Sequence, residues 1–285
     1  MFDYFDIHSH LYFPDFDADR VDEIEKLKEN KIAAITVGTD LQSSQKAIAL
    51  ADARNNLFAT VGQHPGEVTT DSKIDDISSI FEKLAENKKV VAVGECGLDY
   101  FRMDKNDTEL KNIQKRIFEK HIELALKLDK PLMLHIRPQK GTMDAYHDAL
   151  EILENYGGNN YGGNASVREL HRGEASVKLR GNAHFFVGDL DVLQRFLALG
   201  FTISFTGVIT FTHDYDEVIR QVPLEMIMSE TDAPLVAPVP YRGKRNSPLY
   251  VPEVVKKIVE LRGEDFEVVR KQMVENALRV FSISS

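Results

Sequence analysis

The run Phe5-Asp6-Ile7-His8-Ser9-His10 ends with two histidines spaced two apart. Side chains alternate along a β-strand, so His8 and His10 face the same side of the sheet. Two neutral imidazoles side by side are the beginning of a metal site. Residues of similar chemistry close other apolar runs further along: His64, Glu95 followed by Asp99, His135 with Arg137 two residues on, His184, and then Glu230 and Asp232. Taken singly, a histidine at a strand end is commonly a hydrogen-bonded wall residue and a glutamate there a helix cap. Gathered at one end of one fold, they make a site.

The chemistry open to such a set is hydrolysis with two metal ions. His8, His10 and Asp232 can hold one cation, His135 and His184 the other, and the two oxygens of Glu95 can bridge them. Two dications roughly 3.5 to 4 Å apart can share a water, lower its pKa and hold both oxygens of an in-line displacement. Asp232 is placed to take the proton of that water while binding a metal, which with Glu95 makes it the catalytic candidate. The expected cofactors are two divalent cations: magnesium, manganese or zinc. Mixed imidazole and carboxylate ligation suits zinc, manganese or iron better than magnesium, which favours oxygen shells.

These residues need a scaffold that brings distant strand ends together. Eight short apolar runs are each followed by a helical pattern. The runs are Tyr4 to His10, Ala33 to Gly38, Phe58 to Gly62, Val90 to Glu95, Pro131 to Arg137, Ala183 to Val187, Phe201 to Phe205 and Glu225 to Ser229. The helices are predicted over 19–30, 41–54, 74–87, 109–128, 143–153, 190–199 and 214–221, with two more, 252–261 and 266–281, closing the chain. Alternating strands and helices imply a parallel sheet, and eight units in 285 residues imply a closed (β/α)8 TIM barrel, of class α/β, with an extra C-terminal helix. Runs such as Ala33-Ala34-Ile35-Thr36-Val37 are continuously apolar, as strands covered on both faces must be. An open doubly wound sheet is the alternative, but no Gly-x-Gly-x-x-Gly turn follows the first strand. Barrel enzymes carry their chemistry at the C-terminal ends of the strands, where the candidate residues fall.

One domain is expected over residues 1–285, interrupted by an irregular insertion at about 155–181. That stretch contains Tyr156-Gly157-Gly158-Asn159 and its echo Tyr161-Gly162-Gly163-Asn164. Lying between a helix and the next strand, it should emerge on the face opposite the site, as a solvated loop or subunit contact. The single cysteine, Cys96, excludes an intrachain disulfide and suits a reducing, cytoplasmic compartment. No signal peptide and no run of about 20 apolar residues is present, so no membrane role is expected. A net charge of −10 argues against electrostatic coating of long nucleic acid, yet leaves room for a local basic pocket.

Seven ordered motifs carry a resemblance: Asp6-x-His8-x-His10, Gly62-x-His64-Pro65, Gly94-Glu95-x-Gly97-Leu98-Asp99, Pro131-x-x-x-His135-x-Arg137, His184-x-Phe186-x-Gly188, Glu230-Thr231-Asp232-Ala233-Pro234-x-x-Ala237-Pro238 and Tyr241-Arg242-Gly243-Lys244-Arg245-Asn246-x-Pro248. From residue 4 to about 280 the chain resembles the TatD family of metal-dependent deoxyribonucleases, within the amidohydrolase-like barrels. The resemblance implies a divalent-metal centre and phosphodiester hydrolysis on DNA, commonly from a 3′ end. It carries the family's ligands onto His8, His10, Glu95, His135, His184 and Asp232. Two departures stand out: the family's usual His-Cys-Phe-Ser-Gly reads His184-Phe185-Phe186-Val187-Gly188, and the Asn/Gly-rich insertion is longer than the family's link.

For substrate, Arg137 can fork onto a phosphate, and Arg242, Lys244 and Arg245 follow the eighth strand, where barrels often hold phosphate. Their bland alternative is a solvated loop that tethers the last helices. His64 is expected behind the metals or facing phosphate. Tyr100 and Phe101 offer either a stacking face for a base or buried packing, and Cys96 is read as packing. His121, His147, His171 and His213 have no partner in view and receive no role. The leading function is thus a 3′-5′ exonuclease acting on DNA strand ends, single-stranded ends first, with no obligate protein partner. The same centre could instead cleave an ester such as aminoacyl-tRNA, an amide or a small phosphoester. A non-enzymatic binding module has little use for so many convergent ligands.

Overall fold

The continuous apolar runs form strands buried on both faces, as β2 shows: every residue from Ile32 to Val37 is buried. In the computed structural model, which describes residues 2–104, 107–157 and 178–284, eight strands lie parallel in chain order. They are β1 (Tyr4–Ser9), β2 (Ile32–Val37), β3 (Leu57–Val61), β4 (Val90–Asp99), β5 (Leu132–Arg137), β6 (Gly181–Ala183), β7 (Thr202–Phe205) and β8 (Ile227–Ser229). Helices alternate with them: α1 (Arg20–Glu29), α2 (Leu41–Asp52), α3 (Asp76–Ala85), α4 (Thr108–Lys127), α5 (Asp144–Gly157), α6 (Leu190–Ala198) and α7 (Asp216–Gln221). Two more, α8 (Val251–Arg262) and α9 (Phe266–Val280), end the described chain. The expected TIM barrel with C-terminal helices is therefore the observed fold.

Local chemistry starts and stops the helices. Asp40 and Ser43 form a reciprocal capping box at α2, and Asp107, Asp189 and Asp265 each cap a helix start through a backbone N–H three residues on. Gly263, at φ 66°, ends α8 in the left-handed conformation that glycine adopts freely. The main core packs helices onto strands. A smaller cluster joins Phe5, Ile7, Ile35, Met133 and Met228 of the strands to Val274, Ala277 and Phe281 at the chain's end.

The ring closes between β8 and β1 through side chains more than through a ladder. One parallel bridge links Ser9 and Ala233. Beside it, His8 O accepts from Asp232 N at 2.8 Å, and Asp6 accepts from both the N–H (2.9 Å) and the hydroxyl (2.6 Å) of Thr231. This seam brings His8 and His10 next to Asp232.

Most strand ends fall within two residues of expectation, and two differ by four, both at the site. β4 continues past Glu95 to Asp99, pairing Cys96 with Leu134, Gly97 with His135 and Asp99 with Arg137. Glycine permits this: Gly94 and Gly97 have φ of 140° and 141°, and a Cβ there would run into the carbonyl oxygens of Met133 and His135. β6 stops at Ala183 instead of reaching Val187, because the chain turns after His184 with Phe185 at φ 46°. The 155–181 insertion lies largely outside the described residues, which end at Gly157 and resume at Lys178. Among the described residues, no helix is long and apolar enough to cross a membrane.

Candidate metal centre

Glu95 is the hub. It is buried, and its carboxylate lies within 4 Å of five imidazoles: His135 Nδ1 at 2.9 Å, His184 Nε2 at 3.0 Å, His8 Nε2 at 3.4 Å, His64 Nε2 at 3.6 Å and His10 Nε2 at 3.9 Å. Asp232 completes the group, 3.4 Å from His10 Nε2 and 3.9 Å from His8 Nε2. Asp232 has φ 56°, a left-handed conformation that aspartate tolerates better than most residues, and it is pinned there by its N–H to His8 O. All six residues expected as ligands thus converge from β1, β4, β5, the end of β6 and the end of β8.

Burial raises the carboxyl of Glu95, but the surrounding His64, His8 and His184 outweigh it and hold the group well below the usual range. Asp232 is likewise pushed up by burial and held low overall by His10, His8 and His184. Both are carboxylates at neutral pH. Burial holds His8 low, and its ring stacks on His184 at 3.7 Å. His184 is driven well up by Glu230 and Glu95 against its burial. His135 is raised against burial by Asp99 and Glu95, on either side of its ring. His10 is raised by Asp232 and Glu95 despite the opposing burial.

Hydrogen bonds fix which nitrogen each ring can offer. His10 Nδ1 lies 2.9 Å from the carbonyl of Val37, so Nδ1 carries the proton and the lone pair at Nε2 faces Glu95 and Asp232. His184 turns Nδ1 towards Glu230 at 3.5 Å and Nε2 towards Glu95. His135 places Nε2 3.0 Å from Asp99 and Nδ1 beside Glu95. His64 is different. Its Nδ1 accepts the N–H of Gly66 at 2.8 Å, and burial lowers it to about 3, so the neutral ring carries its proton on Nε2. Although His64, Glu95 and His135 are close enough to hold an ion, this tautomer makes His64 a donor towards the centre instead of a ligand.

The donor set fits a metal on an observation independent of any family. His8 Nε2 is fully buried, points at the carboxylates of Glu95 and Asp232 and has no hydrogen-bond partner. A buried imidazole nitrogen left without a partner is costly unless something binds it. Three-residue sets of suitable spacing include His8, His10 and Glu95, and also His8, His184 and Glu230.

Several neighbours carry structural duties that residue type alone did not reveal. Glu230, fully buried, accepts from Phe185 N at 2.6 Å and Ser204 Oγ at 2.8 Å, so it shapes the turn that presents His184. Asp6 locks the seam. His121, expected to have no partner, accepts the N–H of Gln63 at 3.0 Å and holds the strand end that carries His64. His147 and His213 also have partners, Arg195 and Asp216, while His171 lies outside the described residues.

The phosphate candidates separate. Arg137 lies over the ring of Phe101 at 3.8 Å, and Arg242 over Phe211 at 3.5 Å. Lys244 is exposed. Arg245 does not fit a phosphate-gripping role: its guanidinium forks onto Asp19 at 2.7 and 2.8 Å and donates to Asp15 O. It is the tether of the loop, with its charge already balanced. Tyr100 is wholly buried and donates to Asp148 at 2.9 Å, which rules out a stacking face there, whereas Phe101 is 41% exposed. Cys96 is buried in the main core, as expected.

An eight-stranded parallel barrel with histidines and carboxylates gathered at the C-terminal ends of its strands defines a class, the metal-dependent hydrolases of amidohydrolase fold. Within that class, the chain belongs to the TatD-related DNase family, whose model matches residues 5–282. It is 34% identical to the uncharacterized metal-dependent hydrolase YabD of Bacillus subtilis, over 98% of this chain and 99% of that protein. It is 28% identical to the 3′-5′ ssDNA/RNA exonuclease TatD of Pantoea ananatis, over 98% of this chain and 99% of that one. The crystal structure of YJJV, a TatD homolog from Escherichia coli K12, matches with a TM-score of 0.80 at 25% identity, covering 99% of both chains. The protein is a metal-dependent hydrolase.

Proposed function

We propose that the protein is a deoxyribonuclease that uses two divalent cations to remove nucleotides from the 3′ ends of single-stranded DNA. The observation that carries the reading is one buried carboxylate, Glu95, ringed by nitrogens from five histidines beside Asp232. His8, His10 and Asp232 would hold one cation, His135 and His184 the other, with Glu95 between them. When bound, the pair supplies Lewis acidity and a nucleophilic water at neutral pH.

The chain's own residues do the rest. Asp232 is ionised and reachable from the mouth, so it can accept the proton of the attacking water. Glu230 and Asp99 orient His184 and His135 through their ring nitrogens. His64 directs an N–H towards the centre, where it can bind an anionic oxygen of a phosphodiester. Arg137, Arg242 and Lys244 place positive charge on the rim of an otherwise acidic protein, which favours a phosphate-bearing substrate over a neutral ester or amide. A relative named as a 3′-5′ ssDNA/RNA exonuclease supports the polarity and the single-stranded substrate.

The test is cleavage of an end-labelled single-stranded oligonucleotide with magnesium, manganese or zinc, beside chelator and the Asp232→Asn variant. Shortening from the 3′ end that needs metal and falls by about 10²–10⁴-fold in the variant is the expected result. A folded, metal-loaded protein that cleaves no strand, or an unchanged rate in Asp232→Asn, overturns the reading.

A further inference from the structure

We infer that Phe101 and Phe211, each covered by an arginine, are stacking plates that hold unpaired bases of one polynucleotide strand on separate walls of the barrel mouth. The inference rests on the nuclease reading and adds how the substrate is gripped.

Both rings are unusual for their position. Phe101 is 41% and Phe211 38% exposed, in a chain whose other large aromatics are mostly buried. Each carries a guanidinium at stacking distance, Arg137 at 3.8 Å and Arg242 at 3.5 Å. Neither guanidinium makes a salt bridge to a described carboxylate, and both arginines are exposed. An arginine lying flat on a ring keeps its outer face for a nucleobase and its N–H edges for phosphate.

The plates are held rigidly. Arg137 and Phe101 are joined by the end of the β4–β5 ladder, where Tyr100 N donates to Arg137 O at 2.8 Å, and by Phe101 N donating to Asp99 at 3.0 Å. Asp99 is the partner of His135, so this plate adjoins the metal centre. Phe211 follows a tight turn after β7, Gly207–Thr210, that packs on the loop carrying Arg242. Val239 N donates to Thr210 Oγ1 at 2.9 Å, and a Cβ at Gly207 would meet Pro238 N and Val236 O at 2.7 Å. With eight strands in chain order, the β4–β5 rim and the β7–β8 rim lie three strands apart around the mouth. A strand resting on both plates would span part of the mouth in which Glu95 and its histidines lie.

Charge makes the same point. With a net charge of −10 the protein cannot rely on long-range attraction for a polyanion. Stacking on fixed rings supplies affinity that salt does not screen, and every base offers a π-face, so the grip is sequence-tolerant. A paired base has both faces covered by its neighbours, so the plates select single strands.

The test measures binding of two phosphorothioate-linked strands of equal length and charge, one of thymidylates and one wholly abasic, to the metal-loaded protein. Wild type should bind the thymidylate strand more tightly than the abasic one. Phe101→Leu and Phe211→Leu should each weaken thymidylate binding by about ten- to hundredfold and leave abasic binding unchanged. Phe211→Tyr, which keeps the ring, should retain wild-type binding. Equal wild-type affinity for both strands, or losses in the Leu variants that are the same for both, overturns the plates while leaving the nuclease reading intact. Wild type binding neither strand overturns the nuclease reading itself, and the plates with it.

Discussion

Glu230→Gln isolates the work of one buried charge. The wild-type carboxylate takes the N–H of Phe185 on Oε1 and the hydroxyl of Ser204 on Oε2, and its Oε1 lies 3.5 Å from His184 Nδ1. The Ser204 hydroxyl has one proton and two acceptors at 2.8 Å, Glu230 and Asn182 Oδ1. A glutamine in this place would accept from Phe185 N with its oxygen and donate to Ser204 with its amide, while the hydroxyl turns wholly to Asn182. The amide's second N–H finds no acceptor and the charge that raises His184 is gone, so the metal-free fold should lose about 1–2 kcal/mol, a fall in Tm of about 2–8 °C. What disappears is the charge behind His184. A full charge pair at 3.5 Å would be worth about 5 kcal/mol at an effective dielectric of 20. A ligating imidazole is neutral and presents only its N–H dipole, so a fraction of that is expected. Loss of such an outer carboxylate typically weakens metal binding about 10- to 100-fold, or about 1.4–2.7 kcal/mol. Competition with a chromogenic chelator measures the affinity, and thermal unfolding of the apo protein measures the fold. Metal affinity within twofold of wild type would refute the role given to Glu230. A Tm lowered by 10 °C or more would refute the hydrogen-bond substitution.

Three further outcomes follow from the same geometry. Burial lowers His121 to about 4, so the folded state demands a neutral ring; the associated stability is complete above pH 6.5 and is lost as pH falls from there to about 4, by about 3 kcal/mol. Urea midpoints of the apo protein and of His121→Gln, compared across that range, should show the steeper acid loss in wild type, and parallel curves would sink the assignment. Arg245→Ala should lower Tm through the lost Asp19 fork and leave the KM for an oligonucleotide within about twofold; a raised KM at unchanged Tm would return Arg245 to the substrate. Stripping metal should destabilise the protein by about 2.7 kcal/mol relative to a solution holding free cation at a hundred times its Kd, read as a fall in Tm, and a Tm indifferent to chelator would contradict a metal bound in the native state.

How far the sequence foretold the site depends on which physical term decides each residue. The cluster was legible because strand-end position gathers side chains at one mouth, where His8, His10, Glu95, His135, His184 and Asp232 meet, although His184 and Asp232 lie just past their strands. The barrel was legible for the same reason: strand and helix periods differ, and eight alternations admit few topologies. Boundaries failed where backbone conformation overrides composition, at Gly94 and Gly97, which let β4 run on, and at Phe185, where a left-handed bulky residue cuts β6 short. Partner identity was harder still. Nothing in residue type separates Arg245, which is bound to Asp19, from Arg242, which lies on Phe211 and faces outward. Tyr100 and Phe101 are adjacent aromatics, yet one is sealed against Asp148 and the other exposed, because neighbours at a strand end face opposite ways. His64 and His10 are both histidines on the rim of one pocket. A single backbone group each, the Gly66 N–H and the Val37 carbonyl, turns an N–H of the first and a lone pair of the second towards the centre. Tautomers are set by contacts across 27 residues of sequence in one case and two in the other. Spacing alone therefore locates the cluster, whereas the division of labour among its members belongs to the folded backbone.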